Sequence, residues 1–243
     1  MNVSVEIYPA GMPRWEWMLS NRDFERNVDD MANLKDLTVE QFIDVTASDA
    51  PAPGGGSVAA LAGGLGVALA EMVANLTIGK AKYAEVEDEM KELAAAAAEI
   101  RADLTAAIQK DTESFNLYMN ALKLPKETDE EKAVRREAMQ NGLKEAAKVP
   151  LAVAETAAKI FPIAKAVAAK GNTNAVTDGL VAAMMARTAV LGALLNVKFN
   201  LGSIKDEAFV AELAAKVAEL EAQAADCEKE ILASEELSAS FVK

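Results

Sequence analysis

Histidine is absent from this chain of 243 residues. Its absence excludes Ser-His-Asp and Cys-His nucleophile systems and any zinc site built on imidazole. If the chain is an enzyme, proton transfer falls to Asp, Glu, Lys or Tyr. Cysteine occurs once, as Cys227 in a charged helical stretch. No intramolecular disulfide can form, and a reducing cytoplasm is the expected compartment. Aromatic residues make up 5% of the chain although 51% is apolar, most of it alanine and leucine. That balance favours closely packed helices over sheets, which draw on β-branched and aromatic residues. Turn punctuation is sparse, with 13 Gly and 7 Pro. Cations are outnumbered 25 to 38, for a net charge of −13. This argues against nucleic acid or an anionic membrane surface as partner, yet a few local cations can still hold an anionic small molecule. The N-terminus lacks a basic start followed by an apolar run, so no secretory signal is expected.

Two segments approach the length of a membrane span. Val58–Gly79 carries Glu71 as its single charge, and Leu180–Val197 carries Arg187. Both charges sit mid-segment, the rest is rich in Ala and Gly, and the acidic flanks show no basic loop bias. A helix apolar all round is normally buried by its neighbours, so these read as central helices of a soluble bundle. The expected fold is all-α: an up-and-down bundle of long helices around two central apolar, Ala/Gly-rich helices.

Residues 1–36 form an extension of different character. Val3, Val5 and Ile7 alternate over a short strand's length, Pro9 and Gly11 break it, and Trp15 and Trp17 follow. One strand cannot stand alone, so this arm is expected to dock on its own bundle or on a second subunit. Residues 37–243 make the helical domain. Thr38–Gln41 is a capping box opening a helix to about Ser48. The loop Asp49–Gly56 is the strongest break, and Ser57 is expected to cap the apolar helix that ends near Gly79. A third helix runs from about Val86 to Leu122, followed by a polar turn at Leu124–Glu131. A charged helix ends near Lys148, Pro150 opens the next, Pro162 bends it, and Gly171-Asn172 closes it. Asn174 or Thr177 starts the second apolar helix, and the last runs from about Asp206 to Leu232.

Four places resist a purely structural reading. Gly54, Gly55 and Gly56 immediately precede a helix, where bare backbone can approach a ligand and first-turn N–H groups carry partial positive charge. A tight connector is the competing reading, and the missing GK[ST] ending excludes a Walker A loop. Asp111 falls on the stripe Ile100, Leu104, Ile108, Phe115, Tyr118, where the helix otherwise presents mostly apolar side chains. A carboxyl group there must be paired, hydrogen-bonded or protonated, and a partly desolvated one suits acid–base work near neutral pH. Glu71 and Arg187 are read as neutralising each other across the bundle, with a substrate carboxylate as the alternative partner for Arg187. Lys80, Lys82 and Tyr83 end the first apolar helix, where the dipole favours cations and an anionic ligand could bind. Asn172 through Asp178 form a comparable polar cluster, with helix capping as the competing reading.

Taken in order and spacing, these stretches resemble the cyclodeaminase/cyclohydrolase family. Its members include the C-terminal half of formiminotransferase-cyclodeaminase and free-standing methenyltetrahydrofolate cyclohydrolases. The resemblance rests on Pro53-Gly54-Gly55-Gly56-Ser57, Lys80 to Tyr83, Lys110-Asp111 with Phe115, and Gly171-Asn172 through Asp178 to Asn196-Val197. It covers about Leu37 to Leu232. Thr177-Asp178-Gly179 replaces the more usual Ser-Asp-Ala, and the N-terminal arm has no counterpart.

The resemblance implies an all-α homodimer acting on a tetrahydrofolate derivative, with no metal and no cofactor beyond that substrate. It implies cyclodeamination of 5-formiminotetrahydrofolate to 5,10-methenyltetrahydrofolate, with a separate formiminotransferase as a possible partner. Hydrolysis of the methenyl compound to 10-formyltetrahydrofolate is the alternative, and a non-catalytic folate-binding scaffold a distant one. In this reading Asp111 shuttles protons and Asp178 is a second carboxylate or orients the pterin. Gly54, Gly55, Gly56 and Ser57 line the site, and Lys80 and Lys82 meet the glutamate tail or a polar edge. Tyr83, Asn172, Asn174 and Arg187 complete the candidate binding set.

Overall fold

The computed structural model describes residues 33–50 and 52–233. The strand and tryptophans expected before residue 33 lie outside them. The chain forms two compact units, Met1–Pro53 and Gly54–Lys243. In the first, a 3-10 turn at Leu34–Asp36 precedes α1, Val39–Thr46. The expected capping box is present: Gln41 N–H donates to Thr38 Oγ1 at 3.2 Å, and Thr38 N–H to Gln41 Oε1 at 2.9 Å.

The second unit is built of α2 (Gly55–Asn75), α3 (Glu87–Leu122), α4 (Asp129–Ala158), α5 (Ile160–Lys170), α6 (Val176–Leu201) and α7 (Glu207–Leu232). Short 3-10 turns at Ala81–Val86 and Thr173–Ala175 lead into α3 and α6. No strand occurs among the described residues. α3 places Glu87, Asp88 and Glu89 in its first turn, where carboxylates oppose the helix dipole, and buries the stripe Met90, Ala97, Ile100, Leu104 and Ile108. Thr128 and Glu131 form a second capping box that starts α4 inside the stretch expected to be a polar turn. Asp206 caps α7 by accepting from Phe209 N–H at 3.1 Å.

Three helix boundaries differ from expectation, each for a physical reason. Ser57 does not cap α2; Gly54 does, with extended backbone and no side-chain bond. α4 does not stop near Lys148 but runs through Pro150. Proline removes the N–H that would bond the Ala146 carbonyl. Asn200 Nδ2 from α6 donates to that carbonyl at 2.8 Å instead, so the acceptor is satisfied and the helix continues. The break comes later, at Lys159, and Pro162 sits in the first turn of α5, where the ring costs no intrahelical bond.

α2 packs against α3 and α6, and α6 also against α4, α5 and α7. The α2–α6 pair is antiparallel: Gly55 lies against Asn196, Gly192 against Ala59, Gly63 against Ala189, and Gly66 against Ala182 and Met185. Small residues let the two backbones approach. A Cβ at position 66 would stand 2.8 Å from Met185 Cβ and 3.2 Å from the Ala182 carbonyl. This register also keeps Glu71 and Arg187 apart, contrary to expectation, because Met185 faces Gly66 and Glu71 lies well over a helical turn beyond. Glu71 accepts from Arg101 Nε of α3 at 2.7 Å, while Arg187 pairs with Glu228 of α7 at 3.0 Å.

Both α2 and the stretch Thr173–Leu201 are long and apolar enough to cross a membrane, and 56% and 44%, respectively, of an 18-residue apolar window in each is buried inside the protein. Their outer sides expose several large apolar residues. Val58, Leu65, Met72 and Leu76 of the first and Val181, Met184, Leu195 and Phe199 of the second are exposed, Leu195 at 65% and Phe199 at 84%.

The close α2–α6 approach predicts that Gly66→Ala destabilises the fold by about 1–3 kcal/mol through overpacking against atoms near the backbone. Urea denaturation checks this; an unchanged midpoint would mean that the crossing has slack the geometry does not show.

Candidate functional site

Asp111 is held by the opening of α2. Ser57 Oγ lies 2.9 Å from the Ile108 carbonyl and 3.1 Å from Asp111 Oδ2, so one hydroxyl proton is shared between two acceptors. Thr112 Oγ1 completes the cluster at 3.3 Å from Ser57 Oγ. The carboxylate occupies the place a side chain at residue 56 would need: a Cβ there would meet Asp111 Oδ1 at 2.1 Å. Glycine at 56 is therefore a condition for Asp111 standing where it does. Beside it, Asn196 of α6 lies 3.3 Å from the Cβ position of Gly55, its amide donating to the Gly192 carbonyl at 2.9 Å.

Asp111 is half-buried, while Gly55 at the rim is exposed. Burial is the largest influence on its carboxyl and raises its pKa; the Ser57 hydroxyl and backbone N–H oppose that but do not cancel it. No cation contributes to that balance. A carboxyl group that is wet on one side, desolvated on the other and unpaired with a base can pass a proton.

A second cluster stands at the other end of α2. Asn172 N–H donates to the buried Thr77 Oγ1 at 2.8 Å, and Asn172 Nδ2 to the Leu76 carbonyl at 3.0 Å. Gly79 makes the turn with φ of 75°, a backbone that side chains disfavour. Thr173 N–H donates to Tyr83 Oη at 3.1 Å, and Lys82 Nζ to Thr173 Oγ1 at 3.3 Å. Lys80 opens this 3-10 turn and is exposed. Asn174 is exposed, its N–H capped by Asn172 Oδ1 at 3.1 Å, and Asp178 follows in the first turn of α6.

The candidate residues thus fall in two groups, not one. Gly54, Gly55, Gly56, Ser57 and Asp111 meet at the start of α2. Lys80, Lys82, Tyr83, Asn172, Asn174 and Asp178 gather beyond its end. At 1.5 Å per residue, α2's 21 residues separate the groups by about 30 Å. Asp178 therefore does not stand beside Asp111 within one chain. Arg187 belongs to neither group, being paired with Glu228. Asn196, absent from the candidate binding set, joins the first; its place on an apolar helix directly after a leucine pair was the available signal. Among the described residues no three His, Cys, Asp or Glu side chains converge in a way that would hold a metal ion.

Comparison with known proteins places this arrangement. The family model described as formiminotransferase-cyclodeaminase matches residues 38–219, which include both groups. The chain belongs to this family. It is 45% identical over 175 residues to a methenyltetrahydrofolate cyclohydrolase of Methylorubrum extorquens, covering 72% of this chain and 84% of that one. It is 38% identical over 179 residues to the formimidoyltransferase-cyclodeaminase of Sus scrofa, of which the matched part is 33%. Among solved structures it is similar to a formiminotetrahydrofolate cyclodeaminase of Thermotoga maritima. The TM-score is 0.73 at 35% identity, covering 82% of this chain and 95% of that one. The all-α architecture read from composition is thus shared with an enzyme of the family.

The raised pKa of Asp111 has a consequence for stability in any member with this geometry. Folding favours the protonated carboxyl, so its contribution becomes unfavourable as pH rises from the ordinary carboxylate range toward neutrality. Asp111→Asn keeps the acceptor for Ser57 and removes the charge. The variant is expected to unfold at a higher temperature than the wild type at neutral pH, with the gap closing in acid. A gap that widened in acid would reverse the assigned direction.

Proposed function

We propose that this chain is a cytoplasmic folate enzyme working on the carbon between N5 and N10 of tetrahydrofolate, with no cofactor beyond that substrate. The observation that carries the reading is Asp111: a half-buried carboxyl with a raised pKa, lodged against bare glycine backbone at a helix opening. In cyclodeamination, N10 of 5-formiminotetrahydrofolate adds to the amidine carbon and passes its proton to Asp111. The formimino nitrogen gains a proton and departs as ammonia, leaving the 5,10-methenyl compound. Because both reacting atoms belong to one molecule, holding the right conformer contributes several kcal/mol. A separate formiminotransferase would supply this substrate.

A second reading is supported by the relative at 45% identity, which is named a cyclohydrolase and is covered over 84% of its length. Water then adds to the methenyl carbon, gives a proton to the same carboxylate, and opens the ring to 10-formyltetrahydrofolate. The proton acceptor is unchanged; the nucleophile is water in place of N10.

Neither group of residues is a complete folate site by itself. The first has a carboxylate and no cation; the second has cations suited to the glutamate tail. The apolar face of α2 and α6 runs between them, and its occupant in this reading is a second copy of the chain. A two-fold axis through the middle of that face sets the Asp111 end of one protomer beside the Lys80–Tyr83 end of the other. The homodimer would then hold two shared sites and cover Leu65, Leu195 and Phe199, which are exposed in the single chain.

Purified Asp111→Asn is expected to lose about 10²-fold or more in turnover while remaining folded. Ammonia release from the formimino substrate, assayed beside hydrolysis of the methenyl substrate, separates the two readings. Undiminished turnover on both would remove Asp111 from the role.

The shared site predicts complementation. Asp111→Asn and a Lys80→Glu/Lys82→Glu double variant should each be nearly inactive. Unfolded and refolded together, they should recover about one quarter of wild-type activity, since half of randomly paired dimers carry one intact site of two. No recovery in mixed dimers would place each site within one chain. A monomer that binds detergent or lipid would give the apolar face to a membrane instead.

A further inference from the structure

Tyr83 is tied down in a way that a surface tyrosine does not require. Its phenol oxygen lies 3.1 Å from the Thr173 backbone N–H, which donates to it, and 3.2 Å from the Thr173 hydroxyl. The Lys82 ammonium donates to that hydroxyl at 3.3 Å and stands 5.0 Å from the centre of the Tyr83 ring. Since Thr173 Oγ1 accepts from the ammonium, its own proton is free to point at the phenol oxygen. With the Thr173 hydroxyl donating, two donors converge on that oxygen and leave its own proton available for transfer. The position of Thr173 is itself fixed, because the preceding Asn172 is bonded through both backbone and side chain to the buried end of α2.

We propose that Tyr83 is the second proton-transfer residue of the reaction: its phenol protonates the departing nitrogen, and the resulting phenolate is held by Thr173 and Lys82. The inference rests on the shared folate site argued above, in which the Lys80–Tyr83 end of one protomer faces Asp111 of the other. The steps balance. The formimino group enters as its amidinium, –CH=NH2+; as the N10–carbon bond forms, the C=N π pair moves onto that nitrogen and the N10 proton passes to the Asp111 carboxylate. As the carbon–nitrogen bond of the formimino group breaks, its electron pair leaves with that nitrogen, which takes the Tyr83 proton and departs as ammonia. The N5 lone pair completes the methenyl cation, and solvent returns the proton from Asp111 to the phenolate. In the hydrolytic direction the same phenol protonates N5 as the ring opens.

The acidity of the group agrees with this geometry. Tyr83 is lowered from 10.0 to about 8, first by the Thr173 hydroxyl and backbone N–H, then by Lys82. Of the other charges on neighbouring elements, Glu87 is tied to Lys91 at 2.8 Å and Glu89 to Lys170 at 2.7 Å. Lys82 is thus the charge that acts on the phenol. At neutral pH the phenol keeps its proton and can give it; above about 8 it has lost it. An alkaline fall in turnover follows.

Tyr83→Phe keeps the ring under Lys82 and removes only the hydroxyl. It is expected to lose about 10-fold to 10²-fold in turnover, together with the alkaline limb of the pH profile. Thr173→Val removes one donor and is expected to move that limb upward. Ultraviolet titration of phenolate in the full chain gives a readout free of any substrate. One of its three tyrosines should ionise near 8 in the wild type, and that step should vanish in Tyr83→Phe. A Tyr83→Phe enzyme with wild-type turnover and pH profile overturns the assignment, as does a wild type whose tyrosines all ionise near 10. A wild type inactive on both folates overturns the folate reading itself, so the two failures are told apart.

Discussion

The approach of the Asp111 carboxylate to the backbone of Gly56 is the constraint around which the rest is arranged. An oxygen 2.1 Å from where a Cβ would stand leaves no residue but glycine at 56. The same closeness is what desolvates the carboxyl on one face while Ser57 supplies donors on another. To hold two helices that near, α2 must meet its neighbours through glycine and alanine. Its buried positions are accordingly Gly56, Ala59, Ala60, Ala62, Gly63, Gly66 and Ala70, with valine further on. The alanine-rich composition and the chemistry of Asp111 thus have one origin. A core of larger side chains would spread the helices and leave the carboxyl in water with an ordinary pKa.

The same small-residue packing explains why α2 and α6 keep apolar residues on both sides. Their inner sides build the core, and their outer sides form a face that water disfavours. Lone charges on these helices are drawn to flanking partners, Glu71 to Arg101 and Arg187 to Glu228, and so leave that face uncharged. The homodimer proposed above would bury this face and bring the two polar ends together, whereas a membrane-facing surface would give the groups at the two ends no reason to be complementary.

Much of this was legible in the sequence where a local rule decides the outcome. The Thr38–Gln41 capping box and the period of α3 depend on residues three or four apart, and α3 and α7 begin and end within about a turn of expectation. Asp111 was legible for the same reason, since a carboxylate in an apolar stripe breaks a local pattern. What was not legible depends on partners far along the chain. Pro150 ought to end a helix, but Asn200 takes over the carbonyl it abandons. Ser57 ought to cap, but Ile108 and Asp111 compete for its hydroxyl. The Glu71–Arg187 pairing failed because helix register is set by which glycine faces which side chain, information that hydropathy does not carry. The candidate residues were assembled as one site because order along the chain says nothing of distance across a 21-residue helix.

That separation also bears on how one framework can serve two reactions. Asp111 sits at the opening of α2, where N–H groups favour negative charge, and Lys80 and Lys82 sit just beyond its end, where the dipole favours cations. The Asp111 carboxylate thus stands at one end of α2 and the Lys80 and Lys82 ammonium groups beyond the other, with Asp178 in the same group, within a chain that is strongly acidic overall. A folate is polarised in the matching sense, with a cationic or amidine carbon near its pterin and carboxylates on its tail. In the shared-site reading proposed above, electrostatics would orient the substrate before any contact specific to N5 or N10 is made. In that reading the two reactions share one framework and differ only in whether water or N10 attacks the bound carbon.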